Sequence, residues 1–259
     1  MGEQDSAGQA LAPVAKLEIG SVLSRSFGVI RRNLISLGAV TLLNVIFQGV
    51  MFHLFLGDLT NMAMGEAAGE ASGFPDGGGI AAYWLLAVVF SAFLMAIVTY
   101  GTVQDLRGRP EGLGQWLRYG LNVLLPAIVL MLVWYVIIVL GSILLVVPGV
   151  IFLLMLWVVF PVMVMERPGI IASLRRSAFL TQGNRWRLLG MAVLMGAIMG
   201  AVMWTISFAL PFGGLGSAIY NAISAVLGIY WLVVLGVTYY DLRMAKDGID
   251  IGRVTAVFD

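Results

Sequence analysis

The sequence predicts an all-α, polytopic membrane protein. Six transmembrane helices are arranged in hairpins, with interfacial amphipathic elbow helices ahead of them and a parallel internal repeat. Three observations carry this prediction. Hydrophobic residues make up 60% of the 259 positions against 11% charged, with a mean hydropathy of +0.97, too little charge to cover a surface facing water. Six apolar runs, at 34–56, 80–104, 121–140, 150–165, 188–211 and 217–240, come close to or exceed the ~20 residues a helix needs to cross a hydrocarbon core. All 15 basic residues lie in the segments 1–33, 105–120, 166–187 and 241–259, which six crossings put on one side.

That side carries a net +5. The sizeable loop on the other side, "GDLTNMAMGEAAGEASGFPDGGG", has Asp58, Glu66, Glu70 and Asp76 and no base, a net −4 that closes the total of +1. Basic residues are retained on the cytoplasmic side of a bilayer, so both ends of the chain are expected there. Residues 1–16 read as a cytoplasmic tail and lack a basic stretch followed by an apolar one, so no cleavable signal is expected. Residues 17–251 read as one membrane domain and 252–259 as a second tail.

Taken in order, the first element is "IGSVLSRSFGVIRRN" at 19–33. Ile19, Val22, Leu23, Phe27 and Ile30 recur at helical spacing while Glu18, Ser21, Arg25 and Arg32 take the other side, an amphipathic helix suited to the headgroup plane. The first span follows, with Thr41, Asn44 and Gln48 along one face and His53, the chain's single histidine, near its outer end. Such a stripe bonds neighbouring helices or contacts a ligand. The second span leaves the membrane through "VTYGTVQDLRGRPEG". The apolar stretch 121–165 has basic flanks, so it must cross an even number of times. "VVPGV" at 146–150 is the expected turn, since Pro148 blocks a helix and Gly149 permits a reversal. The alternative is a re-entrant loop.

A second amphipathic segment, "IIASLRRSAFLTQGN" at 170–184, matches the first at a shift of 151 in Ile19/Ile170, Leu23/Leu174, Arg25/Arg176, Ser26/Ser177 and Asn33/Asn184. After the fifth and sixth spans the chain leaves through "VTYYDLRMAKDG". Hence a repeating unit is expected: an elbow helix, two spans and an exit. Units fall at 17–110, 111–166 and 167–251, the middle one degenerate and opened by "GLGQWLRYGL". Each begins and ends on the same side, so the repeat is parallel.

"ERPGIIASLRRSAFLTQGNRWRLLG" at 166–190 and "YYDLRMAKDGIDI" at 239–251 resemble the bacterial integral membrane family called the glycerophosphoryl diester phosphodiesterase membrane domain. The YciC-like inner-membrane proteins of unknown function are similar too. The resemblance covers most of 17–251 and implies a six-span domain in the bacterial inner membrane. The catalytic domain named in the family title is a soluble barrel with paired carboxylates and histidines, and no segment here can form one, so no enzymatic residue carries over.

Candidate sites follow from charge and side-chain size. Arg25, Arg31, Arg32, Arg175, Arg176, Arg185 and Arg187 form basic surfaces that suit anionic lipid headgroups, or serve as ordinary anchors. Trp116, Tyr119, Trp186, Tyr239 and Tyr240 read as belt residues at the membrane edge. Asp105 and Asp241 are placed at helix C-termini, where the dipole disfavours a carboxylate, so the pairs Asp105–Arg25 and Asp241–Arg176 are expected to fasten each elbow to its own hairpin. Ala192, Gly196 and Gly200 recur every four residues, a small-residue face for helix packing within the chain or in a homo-oligomer.

The chain has no cysteine and one histidine, and no Asp, Glu, Lys or Arg lies inside a proposed span, which argues against thiolate metal sites, cofactors, catalysis and proton relays. The expected function is non-catalytic: lipid-interacting, membrane-organising, or accessory to a membrane assembly. The alternative is a permease or channel component for a neutral, amphiphilic or lipid-like substrate. Expected partners are membrane phospholipids, with other proteins or a second copy possible and nucleic acid excluded.

Overall fold

A computed structural model describes residues 17–55, 77–144, 146–210 and 214–255. The acidic loop residues Asp58, Glu66, Glu70 and Asp76, the side chain of His53 and the tail 1–16 lie outside the described residues. Nine helices run through the described residues, with no strand among them: α1 (Ile19–Arg32), α2 (Leu34–Phe55), α3 (Gly77–Leu106), α4 (Leu113–Leu144), α5 (Val146–Met155), α6 (Val159–Glu166), α7 (Ile170–Thr181), α8 (Arg185–Ala209) and α9 (Gly214–Thr255). Six spans are long and apolar enough to cross a membrane, which makes the chain a polytopic membrane protein by length and composition. They match the six apolar runs, with α5 and α6 sharing the fourth, Pro148–Glu166.

The core is organised on α3 and α9. Val98, Thr99, Thr102 and Val103 of α3 and Val233, Val234, Val237, Thr238 and Tyr239 of α9 are all fully buried. The two copies of the phrase VTY therefore lie within the core, on two long helices that pack against each other. Glycine makes that approach possible. A Cβ at Gly236 would lie 2.9 Å from the Thr102 methyl, and one at Gly101 would lie 2.2 Å from the Trp116 ring. Trp116 is consequently sealed between α3 and α4 rather than placed in a belt at the membrane edge, and Tyr239 is just as buried.

The small-residue face expected on 192–200 packs nothing tightly in the described structure. Gly196 and Gly200 have no atom within 4 Å of an added Cβ, and only Ala192 leans on the core. The cause is the position of α8, the least enclosed span with 11% of its residues buried. Close packing falls instead to Gly101, Gly120 and Gly236, single glycines in no small-xxx-small pattern.

Two local departures concern proline. The stretch 146–150, expected as the turn, is helical: α5 starts at Val146 with Pro148 in its first turn, where an amide hydrogen has no helical partner to lose. Gly149 supplies closeness rather than a reversal, for its added Cβ would sit 2.9 Å from Ser142 Oγ on α4. Further on, the fourth span breaks at 156–158. Pro161 cannot donate to the Trp157 carbonyl and its ring crowds that group, so α6 must begin afresh at Val159. The Met155 carbonyl at the break instead accepts hydrogen bonds from Ser177 Oγ (2.9 Å) and Thr181 Oγ1 (3.4 Å) of α7.

Residues 113–121 of the segment expected to open the middle unit belong to the 32-residue helix α4 and form no separate short helix. The last helix runs on to Thr255, into the stretch expected as a tail from 252.

Substituting Gly101 by Ala should destabilise the purified protein by roughly 1–3 kcal/mol, the usual range for overpacking a filled core. Gly196→Ala, at an open site, should stay within about 0.5 kcal/mol of wild type. Thermal unfolding in detergent compares the two.

Candidate functional site: the charged end of the bundle

The last turns of α3 and α6 and the stretch 239–247 of α9 meet the short helices α1 and α7 at one end of the bundle, where the ion pairs of the described residues collect. On α1, Val22, Ser26 and Val29 form the buried stripe. Ser26 can be buried because its hydroxyl donates to the Val22 carbonyl at 2.8 Å. Phe27, one of the apolar residues at helical spacing, is 66% exposed and tilted against Tyr230. On α7 the buried positions are Ser173, Ser177, Leu180 and Thr181, and Ile171 (67% exposed) and Phe179 (48%) point outward.

The ion pairs form with partners other than those expected. Asp105 pairs with Arg32, not Arg25: Nε and Nη2 of Arg32 donate to Asp105 Oδ2 at 3.0 and 2.6 Å, and Asn33 Nδ2 donates to Oδ1 at 2.9 Å. The hydrogen bond to Asp105, against some loss from burial, holds the Arg32 pKa above its ordinary value. Asp241 pairs with Arg25 at 2.5 Å, not with Arg176. The reason lies in the packing. Helix α1 lies mainly on α9 rather than on α3, so its middle reaches Asp241 and only its last turn reaches Asp105.

Arg176 enters a denser network. Its Nε donates to Glu166 Oε2 at 3.1 Å and its Nη2 to Asp247 at 2.5 Å. Tyr239 donates its hydroxyl to Glu166 Oε1 at 2.9 Å, and Arg243 Nη1 donates to the Tyr239 oxygen at 3.2 Å. Burial pulls the Arg176 pKa down, yet Asp247 and Glu166 together raise it above the ordinary value. Glu166 and Asp247 were not singled out in the sequence. Their signal was available, since Glu166 ends an apolar run and Asp247 lies four residues after Arg243 on one helix.

A third group surrounds the exit of α3. Tyr100 donates to Glu111 at 2.6 Å and Gln104 to the same carboxylate at 3.0 Å. Tyr100 stacks on Tyr119 at 3.9 Å, and Arg167 lies 4.7 Å over the Tyr119 ring.

Of the seven arginines assigned to headgroups, Arg25, Arg32 and Arg176 are thus neutralised by carboxylates. Arg187 donates to the Leu17 carbonyl at 2.7 Å, and Asn184 Oδ1 accepts from the Leu17 amide at 3.2 Å, which fastens the start of the described chain to the α7–α8 junction. Arg185 is half-buried, its Nε without a partner. Arg31 and Arg175 are exposed and make no ion pair among the described residues. On the first span, Thr41 donates to the Leu37 carbonyl and Gln48 to Asn44, bonds within α2 rather than between helices.

A cavity of about 360 Å³ opens between α1 and α9, walled by Glu18, Ser21 and Arg25 on one side and Asp241, Leu242 and Met244 on the other. Among the described residues no group of three or more His, Cys, Asp or Glu side chains is placed to hold a metal ion. No protein family, characterised protein or solved structure matches the chain, so the site is read from its own chemistry.

A double-mutant cycle tests the observed pairing. Arg25→Gln and Asp241→Asn should couple by roughly 0.5–3 kcal/mol in thermal unfolding, whereas Arg25→Gln and Asp105→Asn should be additive within about 0.5 kcal/mol.

Proposed function

We propose that the protein is a non-catalytic component of the bacterial inner membrane that engages phospholipid through its short helices, organising the bilayer or serving a larger membrane assembly. One observation carries this reading. Outside the spans, α1 and α7 hold Phe27, Ile171 and Phe179 exposed beside the unpaired Arg31 and Arg175, and Trp186 follows on α8, 85% exposed. A face of aromatic and aliphatic side chains edged with arginine is unfavourable in water, and it matches the boundary between headgroups and acyl chains. Lys246 and Arg176 add cations over Phe179 at 5.1 and 5.7 Å.

The repeated elbow is part of the proposal. Supporting it, α1 and α7 begin at Ile19 and Ile170 and the following helices at Leu34 and Arg185, both pairs 151 residues apart. Ser26 and Ser177 are equally buried, and Arg25 and Arg176 are both ion-paired. With all 15 bases on one side of the six crossings, both ends of the chain would face the cytoplasm. The resemblance of 166–190 and 239–251 to the phosphodiesterase membrane-domain and YciC-like families agrees with a membrane domain that has no hydrolytic centre.

The test uses the protein in nanodiscs of phosphatidylcholine with a minority of phosphatidylglycerol. Each base near an anionic surface contributes about 1 kcal/mol, so Arg31→Gln with Arg175→Gln should cut the enrichment of phosphatidylglycerol in co-purified lipid by ~10-fold or more. Unchanged enrichment in a folded double variant would remove the lipid reading.

A further inference from the structure

We infer that the cavity between α1 and α9 binds a headgroup carrying both a phosphate and a primary ammonium, the chemistry of phosphoethanolamine. The inference rests on the lipid-engaging reading above and narrows it to one site and one headgroup class.

The charge of the cavity decides the ligand. Arg25 and Asp241 cancel each other across its wall. Glu18 is exposed, lines the same cavity and makes no ion pair among the described residues, so the site is left with one negative charge at an otherwise basic end of the protein. A simple anion gains nothing here that the unpaired Arg31 and Arg175 do not offer. An ammonium does, since Glu18 is acceptor-only when ionised. Ser21 Oγ adds a second acceptor: its proton goes to the Glu18 backbone carbonyl at 2.8 Å, leaving the oxygen lone pairs available.

The phosphate has a place as well. Arg25 spends one N–H on Asp241, and its side chain is 54% exposed, so other donors of the guanidinium remain open. Glu18, which caps α1, and Ser21 and Arg25 on it lie at i, i+3 and i+7 and line the same side of the cavity. They present acceptor, acceptor and donor in sequence, an order that fits a ligand with its ammonium and phosphate joined by a short linker. Met244, 54% exposed, supplies apolar contact for the glycerol end of a lipid, with the buried Leu17 and Leu242 behind it, and about 360 Å³ is room for a headgroup rather than a whole acyl chain. A primary ammonium donates three hydrogen bonds where a quaternary one donates none, so ethanolamine is favoured over choline.

The full chain, in nanodiscs of equal phosphatidylethanolamine, phosphatidylcholine and phosphatidylglycerol, is read by native mass spectrometry for the lipid retained longest. Wild type should retain the ethanolamine lipid over the choline lipid by about tenfold, the weight of one charge-assisted contact. Glu18→Gln should bring the ethanolamine-to-choline ratio near unity without shifting thermal unfolding, and Met244→Trp, which fills the cavity, should lower retention itself. Millimolar free phosphoethanolamine separates the sources. Displacement of the lipid assigns binding to the headgroup alone; no displacement assigns it to the intact lipid, and both fit the site. Equal or better retention of choline lipid by wild type, or an unchanged ratio in Glu18→Gln, overturns the proposal. Because the ethanolamine and choline lipids carry the same net charge, their ratio is independent of the phosphatidylglycerol enrichment that tests the general lipid reading.

Discussion

A carboxylate where a membrane-crossing helix ends is opposed twice, by the cost of leaving water and by the negative end of the helix dipole. Asp105 at the end of α3 and Glu166 at the end of α6 stand in that position, and each takes an arginine from a short helix. Asp241 differs, because α9 continues through it to Thr255, but its side chain is only 14% exposed and needs the same compensation from Arg25. Packing sets where α1 and α7 lie, and these pairs then lock them there, holding the buried faces, the outward aromatic residues and the cavity in place. Removing the arginine from such a pair leaves a buried charge, so the short helices are bound to the bundle more firmly than their few apolar contacts alone would achieve.

The same economy appears in the backbone. Hydrocarbon offers no partner for an exposed carbonyl, so a broken span survives only where other groups bond the freed atoms. The interruption at 156–158 meets this condition through Ser177 and Thr181, which connect α7 to the span it follows. Trp157 at the break is buried and packs edge-on against Trp231 at 5.3 Å, so the irregular turn faces protein. Helix α7 thereby has two tasks, closing the break with its hydroxyls and binding Glu166 and Asp247 with Arg176.

Neutralised arginines and free ones have different consequences at the membrane surface. An arginine held by a carboxylate adds shape and hydrogen-bond donors but little net field, whereas Arg31 and Arg175 attract any anion. The basic end is therefore not uniform. It holds a locally acidic recess at Glu18 within a positive surrounding, and such a contrast distinguishes ligands by sign and spacing rather than by total charge.

Hydropathy and charge placement are local properties, and they determined by themselves the six spans, the distribution of bases and the two amphipathic helices at Ile19 and Ile170. Pro161 was a readable sign of the broken span, because a proline acts on the carbonyl four residues before it whatever the surroundings. Partner choice was not readable. Which carboxylate Arg25 meets depends on whether α1 lies on α3 or on α9, and no local pattern encodes that. Nor did spacing identify the packing glycines. Gly196 and Gly200 have the right period on a span that little else covers, while Gly101 and Gly236 matter because Trp116 and Thr102 happen to face them. Tertiary structure alone decided these contacts, since they depend on which helices become neighbours.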